Sequence, residues 1–188
     1  MSDEEKLAKK PGKKKKLIVI GAALLVIVGG GVGAGLYATG AIAGESSHVD
    51  PNLPQLVLRE GVDESVAVKY FSPTGDKSPD PTKFVASYYP LGEQFTVNLN
   101  DSEGFMQVGV GMSTYYDQRV LDNVKLHEMA VRSAVLMTLS QQNLTNVTTA
   151  EGKKALKGDL KKAVNEALKQ REGFGGIDQV YFTSFVVQ

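Results

Sequence analysis

Apolar and polar positions alternate along this chain with several different periods, and each change of period marks an element. Residues 17–37 form an unbroken run of Leu, Ile, Val, Ala and Gly that ends at Tyr37. A helix of 21 residues at ~1.5 Å each spans about 31 Å, the thickness of a bilayer's hydrocarbon core. The run therefore predicts one transmembrane helix. Residues 38–54, with Gly44, Ser46, Ser47, Pro51 and Pro54, read as a linker. Residues 55–86 read as an irregular segment. Leu56-Val57-Leu58 and Val66-Ala67-Val68-Lys69-Tyr70-Phe71 are expected there as short strands, followed by a loop rich in Pro and Gly.

From residue 87 the periodicity sharpens. Phe95, Val97 and Leu99 share one face at period two, residues 100–104 have turn chemistry, and Met106, Val108, Val110 and Met112 alternate with Gln107, Gly109, Gly111 and Ser113. This predicts an antiparallel hairpin with one wet face. A helix is expected over 117–142, because Val120, Leu121, Val124, Val131, Val135, Leu136 and Leu139 recur at three- and four-residue steps. Residues 143–147 read as a polar connector. Thr148 with Glu151 fits a capping box opening a second helix to about Arg171, with Leu156, Leu160, Ala163, Val164, Ala167 and Leu168 as its buried stripe. Gly173, Gly175 and Gly176 end it, and residues 177–188 read as a closing strand. The order of hairpin, two helices and strand makes residues 87–188 an α+β domain.

Charge changes this picture. The 188-residue chain carries 21 basic and 21 acidic residues, but they are segregated. Residues 1–16 form a basic arm with seven lysines and three carboxylates, residues 17–44 carry no charge, and the remainder is net acidic. The lysines predict a cytoplasmic N-terminus and a C-terminal domain on the far side of the membrane. An acidic domain with its lysines confined to a short arm excludes a broad nucleic-acid-binding face. Two rival readings of the apolar run are weaker. The basic flank and Ala41-Ile42-Ala43 resemble a signal peptide, but the run exceeds the usual apolar core of about 7–15 residues. Val26 to Ala34 matches a strand followed by a dinucleotide-binding glycine pattern, yet a linker stands where that fold requires a helix and a second strand. Gly29 with Gly33, and Gly31 with Gly35, have the spacing that lets membrane helices pack closely, and they are the candidate helix-packing residues.

Candidate chemistry is sparse. There is no Cys, so no disulfide or thiolate site exists. His48 lies in the linker and His127 in the first helix, without the spacing of a metal pair. Asp159 and Glu166 lie among lysines, as surface ion pairs do. Lys153, Lys154, Lys157, Lys161, Lys162 and Lys169 read as a solvated helix face, and Arg132 as a residue that pairs with a carboxylate or snorkels. No catalytic, cofactor-binding or metal residues are assigned, and no cofactor is expected.

Several runs carry a resemblance. Tyr89-Pro90-Leu91-Gly92-Glu93-Gln94-Phe95-Thr96-Val97-Asn98-Leu99, Thr149-Ala150-Glu151-Gly152-Lys153-Lys154-Ala155-Leu156-Lys157 with Val164-Asn165-Glu166-Ala167-Leu168, and the ending Val180-Tyr181-Phe182-Thr183-Ser184-Phe185-Val186-Val187-Gln188 resemble the flagellar basal-body-associated FliL family. Arg132 matches the family's usual Arg in the first helix, whereas an acidic residue expected next is Ser133 here. The resemblance implies a non-enzymatic, single-pass inner-membrane protein of the bacterial flagellar motor with a stomatin/prohibitin-like periplasmic fold. It further implies a ring-like homo-oligomer around stator membrane proteins that supports their engagement and torque in swimming and swarming. Its partners would be the stator, further copies of itself and the lipid bilayer. The alternative is an anchored periplasmic sensor that binds a small ligand or cell-wall fragment.

A reporter fused after Gln188 is expected to be active only when exported. N-terminal sequencing that found a mature chain beginning at Gly44 would overturn the membrane anchor in favour of a signal peptide.

Overall fold

The strongest period-two segment of the chain becomes its central strand. In the computed structural model, which describes residues 49–100 and 103–188, β1 (Ser87–Pro90), β2 (Phe95–Asn98) and β4 (Gln179–Val187) all pair antiparallel with β3 (Phe105–Thr114). β1 and β2 lie end to end along one side of β3, in the registers Ser87↔Thr114 and Phe95↔Val108. β4 runs along the other side, from Ser113↔Gln179 to Met106↔Val187. The expected hairpin is β2–β3. The single wet face expected of it holds for β2, where Thr96 and Asn98 are exposed, but not for β3. Neighbours on both sides bury β3 on both faces from Val108 onward.

Among the described residues, five helices accompany the sheet: α1 (Ser65–Tyr70), α2 (Gln118–Leu126), α3 (Glu128–Ser140), α4 (Leu144–Thr148) and α5 (Ala150–Glu172). The core lies between one sheet face and the helices. Val97, Val108, Val110 and Met112 meet Val131, Val135 and Leu139 of α3 and Leu156, Leu160, Val164 and Leu168 of α5 in one buried cluster. Burying each such side chain contributes about 1.5–3 kcal/mol.

The helix expected over 117–142 is broken at His127, which closes α2 and opens α3 with φ −106° and ψ 26°. The apolar spacing runs through the break in phase, so the pattern cannot show it. The connector at 143–147 is one helical turn, α4, capped by the Asn143 side chain, which accepts from Asn146 N, and it buries Val147. The cap of α5 falls one residue later than expected, at Thr149, whose Oγ1 accepts from Gly152 N at 3.0 Å. A Cβ on Gly152 would stand 1.8 Å from the Asn146 carbonyl oxygen, so this glycine is what lets α4 fold back onto α5. Asn165 joins the α5 core stripe unannounced: its amide donates to Ile177 O and accepts from Ile177 N, both at 2.8 Å, and so holds the chain that leads into β4.

Residues 55–86 are ordered against the sheet. Leu56 bridges Tyr116 and Leu58 bridges Phe84, which supports extended structure at 56–58. The stretch 66–71, expected as a strand, is instead helix α1 with a short extended exit. Asp63 accepts from Ser65 N at 2.8 Å, a local turn that starts the helix before the alternating valines can extend. Tyr70 packs edge-on to the fully buried Phe84, with ring centroids 5.8 Å apart.

β4 contains the sheet's one irregularity. Phe182 pairs with Val110 while Ser184 pairs with Gly109, so Thr183 is the extra residue of a bulge. The slip changes the phase of the strand. Val180 and Phe182 point inward before it, and Phe185 and Val187 after it. A Cβ on Gly109 would lie 2.4 Å from Thr183 Oγ1 and 2.8 Å from Ser184 Oγ, and Gly109 N donates to Ser184 Oγ at 3.0 Å. Gly109→Val is therefore expected to overpack this site and lower stability by about 1–3 kcal/mol, a loss of several degrees in Tm. Thr183→Ala in the same chain is expected to restore part of it, and a Gly109→Val protein that melts like the parent would refute the close approach. Burial pushes the Tyr116 hydroxyl up to about 12, beside Phe174 and near the Ser72 backbone. The folded chain then keeps this phenol neutral where the unfolded chain ionises, near its ordinary value of 10.0. Its contribution is complete below pH 10 and is lost as pH rises toward 12. Tyr116→Phe is expected to move alkaline unfolding, followed by circular dichroism, to higher pH; an unshifted curve would remove Tyr116 as a cause.

Candidate interaction surface

The described surface carries its unusual features at the two outer edges of the sheet. On the β2 side, α3 packs over the strand through Val131, Val135 and Leu139. The rest of α3 is not the polar face expected of a surface helix. Met129 is 87% exposed, Met137 62% and Leu136 45%, and Leu126 before the break is 72% exposed. Leu136, expected in the buried stripe, thus stands outside it. An open groove of about 410 Å³ runs between strand and helix, lined by Gln94, Phe95, Thr96, Met129, Ser133 and Leu136 with Arg132.

Arg132 builds this groove with no carboxylate paired to it among the described residues. Its Nη1 donates to Leu91 O at 2.7 Å and to Glu93 O at 3.1 Å, and its guanidinium carbon lies 4.4 Å from the centre of the Phe95 ring. A planar cation that donates to a turn and stacks on an aromatic ring is a task for Arg rather than Lys. Arg132 therefore joins the turn between β1 and β2 to α3. Neither expected role, ion pairing or simple snorkelling, describes it.

On the opposite edge, α5 lies along β4. Lys153, Lys157 and Lys161 are four residues apart and form a row on this flank. Lys153 Nζ stands 5.0 Å from the Phe185 ring centre and Lys157 Nζ 5.4 Å from that of Phe182, and the two rings pack 4.9 Å apart. Lys161 donates to Ser78 Oγ at 3.0 Å and lies 3.9 Å from the Asp178 carboxylate, while Lys169 pairs with Asp76. These lysines were expected as a merely solvated face. Four of the six instead cover rings or hold the loop at residues 72–80, and Lys153 and Lys157 do so with no carboxylate partner among the described residues. The spacing of lysines was legible in the sequence; the rings beneath them depended on the bulge that turns Phe185 inward.

Two further clusters tie the chain together. Asp117 caps α2, accepts from Gln55 N at 2.9 Å and from Arg119 N at 3.1 Å, and pairs with the Arg119 guanidinium at 2.8 Å. Arg119 Nη1 reaches Pro51 O and Asn52 O at 3.1 and 3.2 Å. Partial burial opposes the Asp117 charge, but the Arg119 guanidinium and the two backbone donors hold its carboxyl below the ordinary value of 3.8. Its contribution to stability is complete above that value and is lost on acidification below it. The clamp fixes residues 50–55, the end of the expected linker, to the start of α2. His127 Nε2 meets Glu172 Oε1 at 2.5 Å and so fastens the α2–α3 break to the end of α5. Glu166 accepts from Gln170 at 3.1 Å, far in role from an acid–base pair with Asp159.

Among the described residues no group of three His, Cys, Asp or Glu side chains is placed to hold a metal ion, and no helix is long and apolar enough to cross a membrane. The apolar run at 17–37 and its candidate packing residues Gly29, Gly31, Gly33 and Gly35 lie outside the described residues, as does His48.

Sequence comparisons match the part of the chain that builds this sheet and its helices. The model of the flagellar basal body-associated protein FliL family matches residues 88–188. The flagellar protein FliL of Aquifex aeolicus is 32% identical over 105 residues, 55% of this chain and 63% of that protein. The flagellar protein FliL of Escherichia coli K12 is 27% identical over 101 residues, 54% of this chain and 64% of that protein. The matched region thus spans somewhat less than two thirds of these relatives. It contains β1–β4, the Arg132 junction, the α5 lysine row and the β4 bulge, and on this match the chain belongs to the FliL family of flagellar basal body-associated proteins.

Proposed function

We propose that this chain is a non-enzymatic, membrane-anchored component of the flagellar basal body. In this reading it self-associates around the motor's stator units and supports their engagement and torque, with residues 1–16 in the cytoplasm, 17–37 in the inner membrane and the folded unit in the periplasm. The observation that carries the reading is the family match over residues 88–188, which covers β2–β4, all of β1 but Ser87, and helices α2–α5. Three features support it. The uncharged run and the lysines before it suit a single-pass anchor. Several ionisable side chains of the described surface hold loops, caps and rings: Asp117 and Arg119, Arg132, Lys161 and Lys169. An exposed apolar helix face, Met129, Leu136 and Met137, suits a protein surface that is covered in an assembly.

One feature favours the alternative of a ligand-binding module. A slot of about 300 Å³, almost wholly apolar, lies on the outer sheet face between Tyr88 and Tyr181, whose ring centres are 5.9 Å apart, with Gly111 at its floor. A ligand for this slot would raise the Tm of the isolated monomer.

The test separates the two. In a motile host, replacing the native copy with Met129→Glu/Leu136→Glu is expected to leave membrane insertion and the protein's Tm near the parent's, since both side chains are exposed. It is expected to reduce swarming on soft agar and recovery of motor membrane proteins with a tagged chain. Unchanged motility and recovery would exclude this surface from the assembly. A chain whose complete deletion leaves motility intact would overturn the flagellar reading.

A further inference from the structure

We propose that the slot between Tyr88 and Tyr181 is a binding site for a neutral, N-acetylated oligosaccharide, with an acetamido methyl seated over Gly111. The inference goes beyond the assembly proposed above and does not depend on it. The slot lies on the open face of the sheet, whereas α3 and its exposed stripe belong to the other.

Strand register builds the slot. Pro90, Gly111 and Tyr181 stand in one row across β1, β3 and β4, and Tyr88, Ser113 and Gln179 stand in the next row of the same face. Gly111 has no side chain, so its row is a depression with a proline on one side and an aromatic ring on the other. The β4 bulge sets Thr183 at one end of it: a Cβ on Gly111 would stand 3.5 Å from Thr183 Cγ2. Tyr88 is 67% exposed and Tyr181 38%, so both rings remain at the surface beside the opening of about 300 Å³.

Charge decides what the slot can take. No residue of β1, β2, β3 or β4 is an Asp, Glu, Lys, Arg or His. The turns around the strands add only acids: residues 84–118 contain Glu93, Asp101, Glu103 and Asp117 and no Lys or Arg. A phosphorylated or otherwise anionic ligand would find no counter-charge on this face and would be repelled from its margins. A cation would leave its water for a slot that is almost wholly apolar. The uncharged face is complementary to an uncharged ligand.

Among neutral ligands, the distribution of polar atoms favours a sugar. A pyranose ring has an apolar C–H face and a polar edge, and a tyrosine has an apolar ring and a polar tip. Tyr181 Oη lies 3.3 Å from Ser113 Oγ. Each hydroxyl has one donor and two acceptor positions, so the pair keeps capacity for a sugar hydroxyl. Gln179, exposed in the same row as Ser113, brings an amide to the same side. An apolar slot with a few polar groups to fix orientation is the usual build of a small-ligand site. The floor narrows the class further. A sugar hydroxyl pressed onto Gly111 between Pro90 and the Tyr181 ring would lose its water without a partner, whereas an acetamido methyl loses nothing there.

The chain contains no Trp, so its fluorescence comes from its seven tyrosines and reports on the slot directly. With the full chain in a detergent that contains no sugar, the β-1,4-linked tetramer of N-acetylglucosamine is expected to change this fluorescence saturably and to raise Tm. The glucose tetramer of the same linkage is expected to bind about tenfold more weakly, since it lacks the acetamido group. Tyr88→Ala, at an exposed position, is expected to weaken the N-acetylated sugar by about tenfold through loss of the stacking ring, and Tyr88→Phe to retain it. Gly111→Ala places its Cβ no closer than 3.5 Å to any neighbour, so it is expected to keep the parent's Tm while filling the floor and erasing the preference between the two sugars. Equal binding of both sugars by the parent, or a preference that survives Gly111→Ala, would overturn the acetamido site. Saturable binding of a proline-rich peptide with neither sugar bound would replace the saccharide with a polyproline segment, which also stacks on tyrosines. Flat titrations with both sugars would overturn the proposal and leave the assembly reading untouched.

Discussion

Every strand pairing in this sheet is made by β3. Its ten residues bond β1 and β2 on one side and β4 on the other, so the sheet exists only as long as β3 is extended and sandwiched. The sequence of β3 reflects this. Large apolar side chains at 106, 108, 110 and 112 fill the core, and glycine at 109 and 111 on the other face makes room for the bulge and tyrosines of its neighbours. The same arrangement leaves the sheet narrow. It has a covered middle and two outer edges that no described strand closes, and the helices protect one face rather than the edges.

The parts legible in the sequence are those governed by local period and chemistry. Alternation placed β2 and β3, apolar steps of three and four residues placed the core stripes of α2, α3 and α5, and the glycines after Arg171 placed the end of α5. What escaped was set by contacts between distant segments. The bulge at Thr183 changes which residues of β4 face inward, so no single period fits 177–188. His127 breaks a helix whose apolar spacing continues undisturbed, and its partner Glu172 lies 45 residues away. Val66 and Val68 alternate like a strand, but the Asp63 turn commits the segment to a helix.

The surface was legible in its composition but not in its arrangement. Six lysines along α5 suggested a solvated face because a helix with such a face is ordinary. Their roles over Phe182, Phe185, Ser78 and Asp76 appear only once β4 and the loop at 72–80 are laid beside them. Arg132 was visible as a lone cation on an apolar helix, yet its partners are backbone carbonyls, which leave no trace in side-chain identity. Leu136 illustrates the limit from the other side. Its spacing fits the core stripe, but the stripe is already filled by Val131, Val135 and Leu139, and the surplus apolar residue is left on the outside.

Such surplus decides what the outer face of α3 tolerates. Met129, Leu136 and Met137 stand on the exposed side of a helix whose inner side is already filled by Val131, Val135 and Leu139. A polar substitution among the first three opens no cavity, whereas the same change among the last three would bury a polar group in the core at a cost of about 1–3 kcal/mol. Packing within the folded unit therefore does not require the outer side chains to be apolar, and a patch of this kind is the mark of a surface that something else covers.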